Sequence, residues 1–344
     1  MPSPTLWIAC GGTGGHFLPG VVIGRGLVAK GYRVRYFGEG KAVEEDLCRA
    51  QDVEMTRPPK SKLGNRLKKM MWVMKELSKR NKEEHPVAIL GFGGFSSAAL
   101  GVWAILHGCP LFLFEQNAVP GRVNRMLAPF AKKIFLTFPL VGKKLRNSHQ
   151  HLTGNPVRPA SPKPNKKDYD LLVLGGSQGA LALNQKLPPL LPEEWKILHI
   201  AGPGRREEVI EADRGIHTNM EVLDSHPDVP SLLAKSRWVI SRSGATSLCE
   251  IAQSGNPCLT VPLPTSRDDH QRHNAAYLEA RQGVVVLEED NFAAENIMGA
   301  LLNPDLAIVL SSGIRQSGIS DEGGENSLEL LIQSIGSGEK NKNR

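Results

Sequence analysis

The feature that constrains this chain most is a unit met twice: a short apolar run, a glycine-rich loop, a helical stretch and a second apolar run. In the first half these are residues 6–10, the loop Gly11-Gly12-Thr13-Gly14-Gly15-His16, a helix near 19–30 and a strand over 33–37. In the second half they are residues 171–174, the loop Gly175-Gly176-Ser177-Gln178-Gly179, a helix near 180–187 and a strand over 196–200. Short Val, Ile and Leu runs alternating with helical stretches mark parallel strands buried on both faces. Further runs at 87–90, 111–114, 238–241 and 258–261 carry the alternation through both halves. The expectation is an α/β chain of two Rossmann-like, doubly wound domains.

A length of 344 residues suits two such domains. The stretch 155–164 holds Pro156, Pro159, Pro162 and Pro164, which remove backbone donors and stiffen a linker. Domains are therefore expected over 1–160 and 165–325, with a helix over 326–337 left to pack back on the first. A hydrophobic content of 40% against 22% charged residues excludes a disordered chain. The five cysteines are scattered, with no C-x-x-C pair, which points to a reduced, cytosolic protein without a metal centre. No leader-like segment opens the sequence. Its longest apolar stretch, 98–114, is broken by His107, Gly108 and Pro110, so no spanning helix is expected.

Charge is localised. Lys and Arg number 42 against 35 Asp and Glu, a net +7, and residues 60–80 alone hold eight basic side chains against Glu76. One basic segment suits one anionic contact surface better than a nucleic-acid footprint, which would spread over several elements. Read as a helix, this segment gathers Leu63, Leu67, Met70, Met71, Val73, Met74 and Leu77 on one face, with Lys68, Lys69, Lys75 and Lys79 opposite. Trp72 falls among the lysines. Two readings stand: a packed helix with a solvated face, or a membrane-surface helix touching lipid through Lys68, Lys69, Met71, Trp72 and Lys75.

Loops of small residues between strand and helix let backbone N–H groups approach an anion at a helix N-terminus. Neither loop matches G-x-G-x-x-G or the P-loop, which removes most support for a nicotinamide dehydrogenase or an ATP hydrolase. Four more polar clusters follow strands or open helices: 91–97, 115–121, 242–247 ahead of Glu250, and Asp268-Asp269-His270-Gln271 ahead of Asn274. Open α/β sheets bind ligands at those carboxyl ends. The adjacent Asp268 and Asp269 read as a solvent-facing pair, not a metal site.

In order, GGTGGH, GFGGFSS, EQNAVPG, GNPVR, GGSQGA, RSGATSLCEIA and DDHQRHNA resemble the motifs of the MurG family of peptidoglycan glycosyltransferases, within glycosyltransferase family 28. The resemblance spans residues 5–320. It implies the GT-B fold, two Rossmann-like domains facing across a cleft. It also implies inverting transfer of N-acetylglucosamine from UDP-N-acetylglucosamine to the 4-hydroxyl of the N-acetylmuramoyl-pentapeptide carried on undecaprenyl diphosphate (lipid I to lipid II). No cofactor or metal is implied. The implied partners are UDP-N-acetylglucosamine, the lipid-linked muropeptide and an anionic membrane, with no nucleic acid. The implied setting is peripheral, on the cytoplasmic face of the inner membrane, in peptidoglycan synthesis that serves cell shape and division.

By the resemblance, Leu223 lies where uracil is met and Glu250 accepts from the ribose hydroxyls. Ser177, Gln178, Gly179, Ser243, Gly244, Ala245 and Thr246 surround the diphosphate, and Gln271 and Asn274 read the sugar. His270 stands where one common form of the motif has the first of two glutamines. Thr13, Gly14, Gly15, Asn117 and Arg158 complete the donor set, with Thr13 and Asn117 also assigned to the acceptor beside Gly11, Gly12, Gly93, Gly94 and Phe95. His16 is the candidate general base, since imidazole titrates near neutrality; a loop histidine read alone is more often a helix cap or surface group, and its position after GGTGG is what favours catalysis. Glu115 is the second candidate. Two other classes compete: another lipid-directed transferase, such as a diacylglycerol galactosyltransferase, and a non-catalytic nucleotide-sugar binding module.

Overall fold

In the computed structural model, which describes residues 3–41, 43–58 and 66–342, the chain divides into two units, Met1–Val157 with Asp321–Arg344, and Arg158–Ser320. The first is built from β1 (Thr5–Ala9), α1 (Gly14–Ala29), β2 (Arg33–Phe37), α2 (Val43–Gln51), β3 (Met55–Thr56), α3 (Arg66–Glu84) and β4 (Ala88–Gly91). It continues through α4 (Gly94–Leu106), β5 (Leu111–Glu115), α5 (Arg122–Leu127), β6 (Lys133–Leu136), β7 (Gln150–Leu152) and β8 (Asn155–Val157). Seven strands form a parallel sheet in the order β3-β2-β1-β4-β5-β6-β7. The order reverses between β1 and β4, so the loops leaving those two strands open the crevice where such sheets bind ligands.

The period-two rule places the core. Leu6, Ile8 and Cys10 face one layer with Phe17, Val21, Ile23 and Leu27 of α1. Trp7 and Ala9 face the other with Val73 and Leu77 of α3, Trp103 of α4 and Leu127 of α5. The indole Nε1 of Trp7 donates to Glu84 Oε2 at 2.7 Å, tying the end of α3 to the central strand.

The second unit comprises β9 (Tyr169–Leu174), α6 (Leu181–Lys186), β10 (Ile197–Ile200), α7 (Arg206–Asp213), β11 (Met220–Leu223), α8 (Val229–Lys235) and β12 (Ser236–Arg242). It is completed by α9 (Ala245–Ser254), β13 (Cys258–Val261), α10 (His270–Glu279), β14 (Val285–Val286), α11 (Ala294–Leu301) and α12 (Pro304–Arg315). Its six parallel strands run β11-β10-β9-β12-β13-β14, and the reversal lies between β9 and β12. After it, β15 (Ser320–Glu322) pairs with β8, and α13 (Glu325–Lys342) belongs to the first unit. There Leu328, Leu331 and Ile335 join the α1 layer of the core. A Cβ on Gly26 of α1 would collide with Leu328, so glycine is what lets the two helices close.

Three expectations differ from this structure. The stretch read as a linker begins with a strand: Asn155–Val157 is buried and held by Gly323 N–H, which donates to Val157 O at 3.0 Å, so the first unit closes at Val157 and resumes at Asp321. Helix α1 starts at Gly14 and takes Pro19 into its interior. On α3, Trp72 packs against the core, while Met71, read as part of the apolar stripe, is 64% exposed. Met70, Val73, Met74 and Leu77 of the expected stripe do meet the core, so the difference is confined to the exchange of Met71 for Trp72. Lys60 and Leu63 of the basic segment lie outside the described residues.

Candidate active site

In the first unit the glycine loop is already furnished. Thr13 is extended and its carbonyl accepts from His16 and Phe17 N–H, so His16 sits in the first turn of α1 and not in a loop. Gly11 N–H donates to Ser96 Oγ at 3.2 Å and Gly12 N–H to Glu44 Oε1 at 2.8 Å. Glu44 is fully buried and also accepts from the N–H groups of Glu39 and Gly40, at 2.8 and 2.9 Å. This is an anion cradle, and the anion is the chain's own carboxylate. At the neighbouring loop, Gly93 N–H donates to Ser97 Oγ at 2.9 Å, and Phe95 N–H, in the first turn of α4, donates to Glu39 Oε1 at 2.6 Å.

The His16 imidazole lies against both loops. A Cβ built on Gly93 would stand 3.0 Å from its Nε2, and one on Gly12 would stand 3.6 Å from its Nδ1. Gly12 and Gly93 both have φ above 100°, a conformation that glycine alone adopts without strain. His16, Gly12, Gly93, Gly94 and Glu39 thus form one cluster at the sheet reversal, with Thr13 and Gly15 on its rim.

Glu115 and Asn117 form a second cluster, at the end of β5. Glu115 Oε1 accepts from Asn117 N–H at 3.1 Å, and Oε2 accepts from Gly121 N–H at 2.9 Å and Asn124 Nδ2 at 2.8 Å. Burial pushes this carboxyl up, and those donors pull it back. Both oxygens are engaged in holding the loop from Asn117 to Gly121, the geometry of an anchor. Asn124, on α5, escaped the sequence reading, although its place in the first turn of a helix opened by Pro120-Gly121 offered a signal.

The second unit presents the opposite arrangement. Ser177 and Gln178 are exposed, and Gly176 has φ +80° with open space beside it. Gly179 packs so closely under Arg205 and the Ala201 carbonyl that no Cβ fits. Asn184 of α6 fixes the loop after β10 by donating to Ala201 O at 3.0 Å and Glu208 Oε2 at 2.9 Å, and its carbonyl accepts from His199 Nε2 at 3.0 Å. Burial holds His199 down to about 3, so it stays neutral. Arg205 and Asn184 were not anticipated; a guanidinium just past a second glycine turn, Gly202-Pro203-Gly204, was the available signal.

At the other side of the β9/β12 reversal, the N-cap of α9 is Gly244, extended and with no side chain of its own to bond the helix end. Ser243 is fully buried and its hydroxyl has no hydrogen-bond partner among the described residues. Its carbonyl accepts from Asn274 Nδ2 at 3.2 Å. Ala245 and Thr246 form the first turn of α9, and Glu250 follows one turn on. Arg158 places Nε and Nη2 both at 2.8 Å from Glu250 Oε1 and donates Nη1 to Pro227 O at 2.6 Å. Burial raises the Glu250 carboxyl, and the guanidinium offsets the rise. Arg158 takes one carboxylate oxygen and leaves Oε2 to others.

On α10, Gln271 Oε1 accepts from Leu263 N–H at 3.0 Å, bracing the loop after β13. His270 donates from Nδ1 to Arg267 O at 2.8 Å, which leaves Nε2 as an acceptor in the neutral ring. Asp268 and Asp269 both adopt left-handed φ of 53° in the turn before this helix. Leu223 closes β11, half-buried.

Two parallel sheets, each with loops at its reversal, one carrying a half-buried histidine and the other a glycine-capped helix end beside a buried Arg–Glu pair, define a nucleotide-sugar transferase of the GT-B class. The chain belongs to glycosyltransferase family 28: residues 6–136 match the family's N-terminal domain and 170–306 its C-terminal domain. An enzyme of Azotobacter vinelandii, named UDP-N-acetylglucosamine--N-acetylmuramyl-(pentapeptide) pyrophosphoryl-undecaprenol N-acetylglucosamine transferase, is 37% identical over 81% of this chain and 83% of its own. One from Rhizobium meliloti, of the same name, is 31% identical over 98% and 97%. The crystal structure of Acinetobacter baumannii MurG superposes with a TM-score of 0.76 at 26% identity, covering 96% of this chain and all of that one.

Proposed function

We propose that this chain transfers N-acetylglucosamine from UDP-N-acetylglucosamine to the N-acetylmuramoyl-pentapeptide borne on undecaprenyl diphosphate, with inversion at the anomeric carbon. The observation that carries the proposal is the 37% identity, over 81% of the chain, to an enzyme named for that reaction. The geometry supports a division of labour. In the second unit, Glu250 Oε2 accepts from the ribose, Leu223 borders uracil, and the α9 end with the Ser243 hydroxyl and the exposed Ser177 loop receives the diphosphate. Charge grows on UDP as the glycosidic bond breaks, and fixed N–H donors at a helix end stabilise it without reorganising. His270 Nε2 faces the sugar, while the buried Asn274 braces Ser243 from behind and Gln271 holds the loop after β13.

In the first unit, His16 removes the proton from the acceptor 4-hydroxyl as that oxygen attacks. Glu115, with both oxygens engaged, shapes the acceptor loop instead. The leaving diphosphate is met by backbone and side-chain donors, so the transfer runs without a metal. A labelled UDP-N-acetylglucosamine assay with a short-chain lipid-linked acceptor and a chelator tests this reading. Sugar transfer is expected, and His16→Ala is expected to keep donor binding while losing transfer. Donor binding without transfer by the unaltered chain would instead mark a binding module.

The acceptor's lipid places the work at a membrane surface, and no single helix among the described residues is long and apolar enough to cross one. The exposed side of α3 carries Lys68, Met71, Lys75 and Lys79, a methionine among cations each worth about 1 kcal/mol against anionic lipid. Reversing Lys68, Lys69, Lys75 and Lys79 to Glu is expected to abolish sedimentation with phosphatidylglycerol vesicles. On this reading the enzyme works peripherally, on the cytoplasmic face, in wall synthesis and through it in cell shape and division, and binds no nucleic acid.

A further inference from the structure

Two carboxylates stand in the first unit's crevice, and they are held differently. Glu44 is locked by three backbone N–H groups and has no exposed surface. Glu39 has its backbone fixed by Glu44, yet its side chain is held by one N–H, from Phe95 at 2.6 Å, and by Lys41 Nζ at 2.8 Å. Lys41 is half exposed, and Gly38 and Gly40 flank Glu39. The carboxylate lies where a Cβ on Gly94 would be, so the positive φ of this glycine opens the α4 end to an anion. The His16 ring borders the same loop.

We infer that Glu39 is a built-in competitor of the acceptor's diphosphate. Its carboxylate occupies the start of the 13-residue α4 and rotates away when the acceptor arrives, releasing both the helix end and the Lys41 ammonium to the phosphates. A diphosphate carries more charge than one carboxylate and is drawn to the same N–H groups and dipole. Rotation breaks the hydrogen bond from Phe95 and the ion pair with the half-exposed Lys41 and carries the Glu39 carboxylate, itself only 10% exposed, out to water, while the backbone of Glu39 stays on Glu44. Glu39 thereby sets acceptor affinity without touching the donor. This inference rests on assigning the acceptor to the first unit.

The experiment compares the unaltered chain with Glu39→Gln and Glu39→Ser. It reads the KM for a short-chain lipid-linked acceptor, the KM for UDP-N-acetylglucosamine, and direct calorimetric binding of inorganic pyrophosphate. Removing the charge is expected to lower the acceptor KM and the pyrophosphate Kd by about threefold to tenfold, the weight of one charge at a helix end, with the donor KM unmoved. A residue that merely braces the loop would raise the acceptor KM instead. An unchanged or raised acceptor KM in variants with an unaltered melting temperature overturns the inference. If the unaltered chain transfers no sugar, the functional reading fails, while pyrophosphate binding still decides whether Glu39 competes for the helix end. Should one variant fail to fold, the other carries the comparison.

Discussion

The two units begin with the same strand, glycine loop and helix, yet their loops carry opposite electrostatics. In the first, Glu44 and Glu39 seat carboxylates on the N–H groups of Gly12 and Phe95. In the second, α9 is capped by a glycine, the hydroxyl of the preceding Ser243 has no hydrogen-bond partner among the described residues, and Arg205 leans over Gly179. One loop has its donors taken by the chain's own carboxylates, and the other leaves Ser177 and Gln178 exposed with open space beside Gly176. A glycine-rich turn is therefore a permissive geometry, and the charges placed around it decide what it holds.

The largest expected effect on this contrast comes from Glu44→Ala, which strips three backbone N–H groups of their acceptor. Unfolding free energy in urea should fall by about 3 kcal/mol or more. Ser177→Ala, on the exposed loop of the second unit, should leave it unchanged. Equal losses in both would erase the distinction. Next, Glu250→Gln is expected to raise the KM for UDP-N-acetylglucosamine about tenfold to a hundredfold, the range for hydrogen bonds to a charged partner. The acceptor KM should stay constant, and movement of both would show that Glu250 serves the second unit's frame and not its ligand. A smaller rise, about threefold, is expected for Arg205→Ala, shrinking further in high salt because the guanidinium is partly exposed.

The smallest effect concerns pH. Burial lifts Glu115 and Glu250 above the ordinary 4.5. Between the unfolded and folded values the folded chain holds protons that the unfolded chain has released. Unfolding free energy should therefore decline as pH rises through that interval and level off above it. Glu250→Gln should flatten the decline; a slope of the opposite sign would mean that Arg158 outweighs burial.

Much of this was readable in advance, for identifiable reasons. Buried parallel strands announce themselves as apolar runs, so β1, β5, β9 and β13 fall within a residue or two of their expected places. The start of α1 was misjudged because proline favours a first turn. In the structure the chain takes Pro19 at the sixth position, forgoing one hydrogen bond to Gly15, and this is what puts His16 on a rigid helix. On α3 the expected stripe places Met70, Val73, Met74 and Leu77 on the core, and it errs only at its edge, where Trp72 packs inward and Met71 is exposed. Glu39 and Glu44 were invisible as functional groups: the donor that fixes Glu39 lies 56 residues away in sequence, and no local pattern separates such a carboxylate from a solvated one.

Helix α13 gives the chain an order of assembly. The second unit is one unbroken segment, so it can fold as soon as it leaves the ribosome. The first must wait through the synthesis of the whole of that segment before Leu328, Leu331 and Ile335 arrive to cover α1. Its nascent form therefore leaves uncovered the side of α1 at Ile23 and Gly26, where Gly324 and Leu328 later pack. Chaperone demand should fall on the earlier half of the polypeptide, and the domain made first should be the last to become native.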